Sequence, residues 1–394
     1  FPAASIAWEM ANMEFMQGAR WINSLKPRVS YGVTGRRGGS NVARPTYGSH
    51  GQYFMDGEWV KGYRPASNAN PDLRWEKLVA VNAGIDFVFF DNRLRGSLDL
   101  YDRRSPDLLY NYTAPQPPFI HSSILVNVGE TQNLGAELAL DADVVKTKNF
   151  TWTSGINASI GYSKIKTLSN QIYGASYIDM LGTGGLGQTS YYYRYTEGSR
   201  LGTLYGYEAA GVNEYGDMMV YDNDGNVITA ASANAAFKRY IGNTIPKLFL
   251  SWNNTFRYKH WDLNVFMNGA FGHMIYNNRR AGNLQSSGNA NVFRTAYTRD
   301  KDVREYGGVV TSYFLEHGDF MKLQNVSLGY TLNPNNDIIR SLRIFLTATD
   351  LYTFTGYTGT DPALLSTNGL TPGVDNGVGY PETRVVTLGA TVTF

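Results

Sequence analysis

The stretch Arg384-Val385-Val386-Thr387-Leu388-Gly389-Ala390-Thr391-Val392-Thr393-Phe394 decides how the rest of the chain is read. Val386, Leu388, Ala390, Val392 and Phe394 fall on one side of an extended strand. Val385, Thr387, Gly389, Thr391 and Thr393 fall on the other. A period of two marks a strand with one face in an apolar medium and one face wet. A single such strand could edge a soluble sheet, so its recurrence upstream is what counts.

It recurs throughout. Ala4, Ile6 and Trp8 alternate with small residues, and Val29, Tyr31 and Val33 alternate with Arg28, Ser30 and Gly32. The pattern returns over Val79 to Phe87, Leu94 to Tyr101, Leu134 to Asp141 and Trp152 to Tyr162. Later it covers Leu248 to Tyr258, Trp261 to Asn268, Val326 to Leu332 and Leu342 to Thr349. Eleven strands follow, and Tyr191 to Glu197 with Tyr205 to Asn213 could add a pair inside the longest connection, giving thirteen; either count is odd. The wet row carries Asn, Asp, Glu, Arg, Ser, Thr and Gly in nearly every segment. About ten residues at ~3.3 Å rise, tilted near 40–45°, span the apolar band of an outer-membrane barrel. Aromatic residues stand at the ends of the apolar rows, where interfacial girdles belong. Trp152, Tyr258, Trp261, Tyr330 and Phe394 are the girdle candidates. A soluble sandwich with aromatic edges also alternates, and predicts stability without detergent.

Connection lengths alternate as well. Long ones cover residues 35–74, 103–132, 163–245, 272–318 and 351–382, and short ones lie between them. The first, residues 9–27, is intermediate and fits least well. Transmembrane barrels have short periplasmic turns and long extracellular loops. With long loops outside, the last strand runs inward and ends in the periplasm. The odd strand count then predicts a C-terminal portion of a larger barrel, since bacterial barrels have even counts.

Composition narrows the function classes. A net charge of +2 leaves no basic surface for nucleic acid. With no cysteine there is no disulfide and no thiolate metal site. No apolar run reaches the length of a membrane-crossing helix. His50, His121, His260, His273 and His317 share no metal-ligand spacing, and no catalytic constellation stands out. The glycine-rich run at 182–187 is read as a flexible loop, because it does not sit between a strand and a helix. Asp86, Asp99, Glu137 and Asp262 on the wet row are read as lumen solvation and contacts to a plug.

Several stretches resemble the SusC/RagA type of TonB-dependent outer-membrane transporter of Bacteroidetes. Phe1-Pro2-Ala3 through Trp8 is one, and Leu25-Lys26-Pro27-Arg28-Val29-Ser30-Tyr31-Gly32-Val33-Thr34-Gly35 another, with Arg36 where the family usually has Asn. Asn70-Pro71-Asp72-Leu73-Arg74-Trp75-Glu76, Asn127-Val128-Gly129-Glu130 and Asn133-Leu134-Gly135-Ala136-Glu137 follow its pattern. So do residues 241–247, 358–362 and 380–384. The resemblance runs along essentially the whole chain.

It implies a 22-stranded barrel in the outer membrane, with a plug and a TonB box preceding this chain. It also implies a SusD-like surface lipoprotein as lid, energy from the TonB-ExbB-ExbD complex, and insertion by the barrel assembly machinery with Phe394 as a terminal signal. The function implied is active import of oligosaccharides or peptides, and no enzyme activity. A barrel acting as adhesin, surface binding protein or siderophore-type receptor is the alternative. Loop aromatics are the candidate substrate contacts: Tyr47, Tyr53, Trp59, Tyr63, Tyr191, Tyr192, Tyr193, Tyr352 and Tyr357. Flat rings stack on sugars and their hydroxyls bond polar ligands. The same tyrosines could instead pack loops against one another. No cofactor is expected. Asp222-Asn223-Asp224-Gly225 resembles a calcium loop but lacks its closing acidic residue, and a type I′ turn at Asp224-Gly225 is the favoured reading.

Overall fold

A computed structural model describes the chain except residues 38–42, 170–173, 183–190, 285–290, 305–307, 335–337, 365–368 and 378. The glycine-rich run therefore lies almost wholly outside the described residues. Eleven strands form one sheet: β1 (Ala3–Ala7), β2 (Ile22–Arg36), β3 (Glu76–Phe89), β4 (Leu94–Ser105), β5 (Glu130–Lys146) and β6 (Phe150–Thr167). β7 (Leu248–Tyr258), β8 (Trp261–Phe271), β9 (Phe320–Leu332), β10 (Ser341–Thr355) and β11 (Val385–Thr393) complete it. Their order in the sheet is their order in the chain, and every neighbouring pair is antiparallel. Successive connections consequently alternate between the two ends of the sheet. Residues 37–75, 106–129, 168–247, 272–319 and 356–384 gather at one end, and the short connections at the other.

The two faces differ as the alternation requires. Ladder partners Ile6, Val29, Ala83, Leu100, Ala136, Ile160 and Leu248 make one apolar row across seven strands. These side chains point out of the protein, with Ile6 at 71% exposure and Leu388 of β11 at 75%. An apolar surface of that extent is unstable in water and stable against hydrocarbon. The opposite face lines a hollow of about 580 Å³ with Ser97, Asp99, Glu137, Asn157, Ser251 and Asn268.

β2 is longer than the alternation indicates, and Pro27 lies inside it. Pro27 pairs with Ile85 of β3, and its carbonyl accepts from Trp8 N at 3.0 Å. Its missing N–H faces that same side at the end of β1, so the one bond it cannot make falls at the edge of that ladder. The expected thirteenth-strand count falls away. Tyr191–Tyr195 and Thr203–Gly206 do form strands, but in a separate four-stranded sheet with Ile178–Gly182 and Arg239–Asn243. A three-stranded sheet (Ala209–Val212, Met218–Tyr221, Val227–Thr229) follows the same logic.

The water-excluded core sits in this loop assembly rather than in the wall. Tyr192, Tyr193, Tyr195, Leu204, Val310 and Phe314 are among its fully buried members. β6 runs on into it: Ile165 N donates to Ser199 O and Gly198 N to Ile165 O, both at 2.9 Å. Eighteen residues of β6 reach ~60 Å at strand rise, well beyond the ~25 Å apolar band, so its upper end belongs to the loops.

Candidate functional site

Three long connections interlock over the hollow. Tyr193 and Tyr195, from residues 168–247, donate their hydroxyls to the carbonyls of Pro372 and Leu370 in residues 356–384, the second at 2.7 Å. Gly202 N donates back to Tyr195 Oη at 3.0 Å. Burial pushes both hydroxyls above the ordinary tyrosine range, so they stay neutral donors. Tyr276 exchanges backbone bonds with Gly373 and Asp375, and Tyr207 N donates to Val310 O at 2.9 Å.

A buried ion cluster fixes the same region. Arg280, in the short helix Asn278–Gly282, is 1% exposed. Its Nε donates to Asp300 Oδ2 at 2.8 Å and its Nη1 to Glu316 Oε1 at 3.1 Å. Tyr313 Oη donates to Asp300 at 3.1 Å, and Thr358 N to Glu316 at 2.9 Å. Burial opposes the guanidinium charge, but the Asp300 and Glu316 carboxylates hold Arg280 above its usual range. Sequence reading missed this cluster, because the three charges lie in a connection without periodicity.

The candidate substrate aromatics separate into groups. Tyr47, Tyr53, Trp59 and Tyr63 are exposed on a hairpin, Tyr47–Met55 paired with Glu58–Pro65, and Phe54 meets Trp59 edge-on at 5.5 Å. Tyr191 is also exposed. Tyr192 and Tyr193 are inside the loop core, Tyr192 against Tyr276 at 5.1 Å. Tyr357 is buried and donates to Asp375 Oδ2 at 2.6 Å. Tyr352 belongs to β10 rather than a loop. It shares the outward row with Met267 and Leu323, exposed and edge-on to Phe354 at 4.7 Å.

The girdle candidates collect at the short-connection end. Tyr258 pairs with Trp261, and Trp261 with Tyr330, their rings 4.7 Å apart. Trp152 stacks on Phe256 at 5.7 Å and donates Nε1 to Asn254 at 3.0 Å. Phe394 is exposed just beyond Thr393, which pairs with Ser341 at the start of β10.

On the polar face, carboxylates meet guanidinium groups across a glycine. Arg28, Gly84 and Asp99 are ladder neighbours on β2, β3 and β4, and Arg28 Nη1 lies 2.7 Å from Asp99 Oδ1. Asp86 adds a second carboxylate at 3.2 Å. Asp262, Gly329 and Arg343 repeat the device on β8, β9 and β10, with Nη2 to Oδ2 at 2.5 Å. A Cβ on Gly329 would stand 2.5 Å from Arg343 Nη2. These acidic residues are thus ion-paired within the wall. Glycine alternating with charge on the wet row was the available signal.

The loop at 222–226 differs from a type I′ turn. Only Gly225 has positive φ, at +85°, and Asp222 Oδ1 accepts from Asp224 N and Asn226 N at 2.8 Å each. Among the described residues no group of three His, Cys, Asp or Glu converges as a metal site.

A two-faced antiparallel wall, roofed by long connections at one end only, is the architecture of outer-membrane receptors. Residues 1–268 match the family model described as TonB dependent receptor-like, beta-barrel. The chain belongs to that family. Its relatives include TonB-dependent receptor P3 of Formosa agariphila, 28% identical over the whole chain and 42% of the relative. TonB-dependent receptor SusC of Bacteroides thetaiotaomicron is 24% identical over the whole chain and 40% of the relative. The chain therefore spans about two fifths of the length of these proteins. Among solved structures, the RagAB peptide transporter superposes with a TM-score of 0.81 at 24% identity, over the whole chain and 43% of its counterpart. The SusC/RagA resemblance of the sequence stands, and with it a place in the bacterial outer membrane.

Proposed function

We propose that the complete protein is a TonB-dependent importer of oligosaccharides or peptides, working with a SusD-like surface lipoprotein. One observation carries this reading: the polar hollow inside a lipid-facing wall is roofed at one end by a loop assembly with its own core. Such a roof forms a ligand vestibule on a rigid scaffold. Family membership supports coupling to TonB through a part of the protein outside this chain. The exposed aromatic hairpin carrying Tyr47, Tyr53, Trp59 and Tyr63 is proposed to meet ligand or lid. Trp152, Tyr258, Trp261 and Tyr330 are proposed to sit at the membrane interface.

The test is uptake by whole cells. Labelled oligosaccharide and peptide mixtures should enter cells that carry the gene. Entry should stop when the proton-motive force is collapsed or the gene for a SusD-like lipoprotein partner is deleted. Uptake unaffected by both treatments would overturn the proposal.

A further inference from the structure

We infer that the cavity beneath the loop roof takes a short peptide with apolar side chains and a free carboxylate, in preference to an oligosaccharide. This inference rests on the import reading and narrows its substrate class. The cavity measures about 760 Å³, within the range of ligand sites. It lies above the polar hollow, where β2 to β6 meet the long connections.

Its two sides have opposite chemistry. The loop side presents Leu109, Ile178, Met180, Leu201, Ile245 and Leu370. Aliphatic groups offer a sugar hydroxyl no hydrogen bond, and burying one without a partner costs roughly 1–3 kcal/mol. The lower hollow, with its Asp, Glu, Asn and Ser lining, suits a glycan far better. Side chains of a peptide, by contrast, gain from contact with the aliphatic side.

The wall side supplies what a peptide backbone and its terminus need. Arg36 and Arg103 line the cavity, with Glu76 as the single carboxylate among these three. Both arginines are exposed. Arg103 stacks on the Tyr101 ring, 4.2 Å from its centroid, and neither arginine forms an ion pair among the described residues. A guanidinium over a ring keeps N–H groups free for a carboxylate. Asn133, also in the lining, buries its Oδ1 without a donor among the described residues. A buried acceptor left open takes any hydrogen-bond donor, of which a peptide N–H is one. A fatty acyl chain has the carboxylate but no such donor.

The experiment uses the complete transporter with its lipoprotein in detergent, titrated calorimetrically. The probes are the pentapeptide Ala-Leu-Val-Leu-Phe, its C-terminal amide, and maltoheptaose. The free peptide should bind, and amidation should weaken it about tenfold by removing a charge-assisted pair. Arg103→Ala should weaken the acid by a similar factor and leave the amide unchanged, a pattern that misfolding cannot produce. Ile178→Asp should weaken both. Maltoheptaose binding without peptide binding would overturn the inference, as would binding of neither or equal affinity of acid and amide. TonB-dependent uptake of oligosaccharides alone would sink the peptide preference and leave the importer standing. Loss of all energised uptake would sink the importer itself.

Discussion

The wall and the loop assembly solve the same problem in opposite ways. In the wall, apolar side chains such as Leu346, Leu388 and Ile6 point outward, and charge is collected inside. In the loop assembly, Leu204, Val310 and Phe314 are buried, as in a water-soluble domain. The wall's backbone bonds close strand to strand, as hydrocarbon demands. The roof depends on side-chain packing and on a few buried polar anchors. One sequence thus encodes two cores for two solvents, and damage to one need not reach the other.

Arg280→Ala should break that comparison most sharply. It leaves Asp300 buried without its cation and Glu316 with only the more exposed Arg299 at 3.6 Å, and breaking a buried pair in this way costs roughly 3–5 kcal/mol. Limited proteolysis should then cut residues 272–319 and 356–384 rapidly. The gel shift on heating that reports an intact barrel should persist. Loss of that shift in Arg280→Ala would show that roof and wall fold as one unit.

Next in size is a pair of adjacent substitutions in β10. Leu346→Arg places a charge in lipid, at a cost of about 2–4 kcal/mol near the bilayer centre. Thr347→Arg places the same charge in the hollow, beside Ser327, to which Thr347 bonds at 2.9 Å. Unfolding in liposomes should show a large loss for the first and a small one for the second. Equal losses would mean the faces have been assigned wrongly. A smaller effect follows from Gly329→Ala, whose new methyl meets Arg343 and Asp262 within 2.6 Å. Overpacking costs about 1–3 kcal/mol. Adding Arg343→Ala should restore part of it, because the contact with the guanidinium disappears while that with Asp262 Oδ1 remains. No recovery in the double variant would place the strain elsewhere.

This contrast also governs what could be read in the sequence. The wall was legible because a strand between lipid and lumen must alternate, and every one of the eleven segments does. Its edges were less so: the first connection was read as residues 9–27, whereas β2 begins at Ile22 with Pro27 inside it. Strand propensity in Tyr191–Tyr195 was real, yet it could not say whether the strand joins the wall or the roof. Long-range packing made that choice, through Tyr193 to Pro372 and Tyr195 to Leu370. For the same reason Tyr192, Tyr193 and Tyr357 looked equivalent to Tyr47 and Trp59. Only tertiary contact separates a buried hydroxyl with a fixed acceptor from an exposed ring. The Arg280 cluster and the cavity lined by Arg36 and Arg103 join residues far apart in the chain, with no spacing to reveal them.

The smallest effect concerns the seam between the two regions. Glu197 accepts from Leu168 N at 2.8 Å and Ser169 Oγ at 2.9 Å, just beyond the end of β6. The Leu168 amide first, then the Ser169 hydroxyl, hold its carboxyl below the usual range. A depressed folded value means that the contribution is fully present above the unfolded pKa of about 4.3. It is lost as pH falls through the folded value. Protection of the Leu168 amide, relative to its intrinsic exchange rate, should therefore fall as pH drops below the ordinary carboxylate range, while ladder amides of β7 and β8 stay protected. Glu197→Gln removes the titrating charge and keeps an acceptor, so its exchange should show no such acid step. If the step survives in Glu197→Gln, another carboxylate ties the seam. If the ladder amides loosen together with Leu168, the roof and the wall open as one cooperative unit.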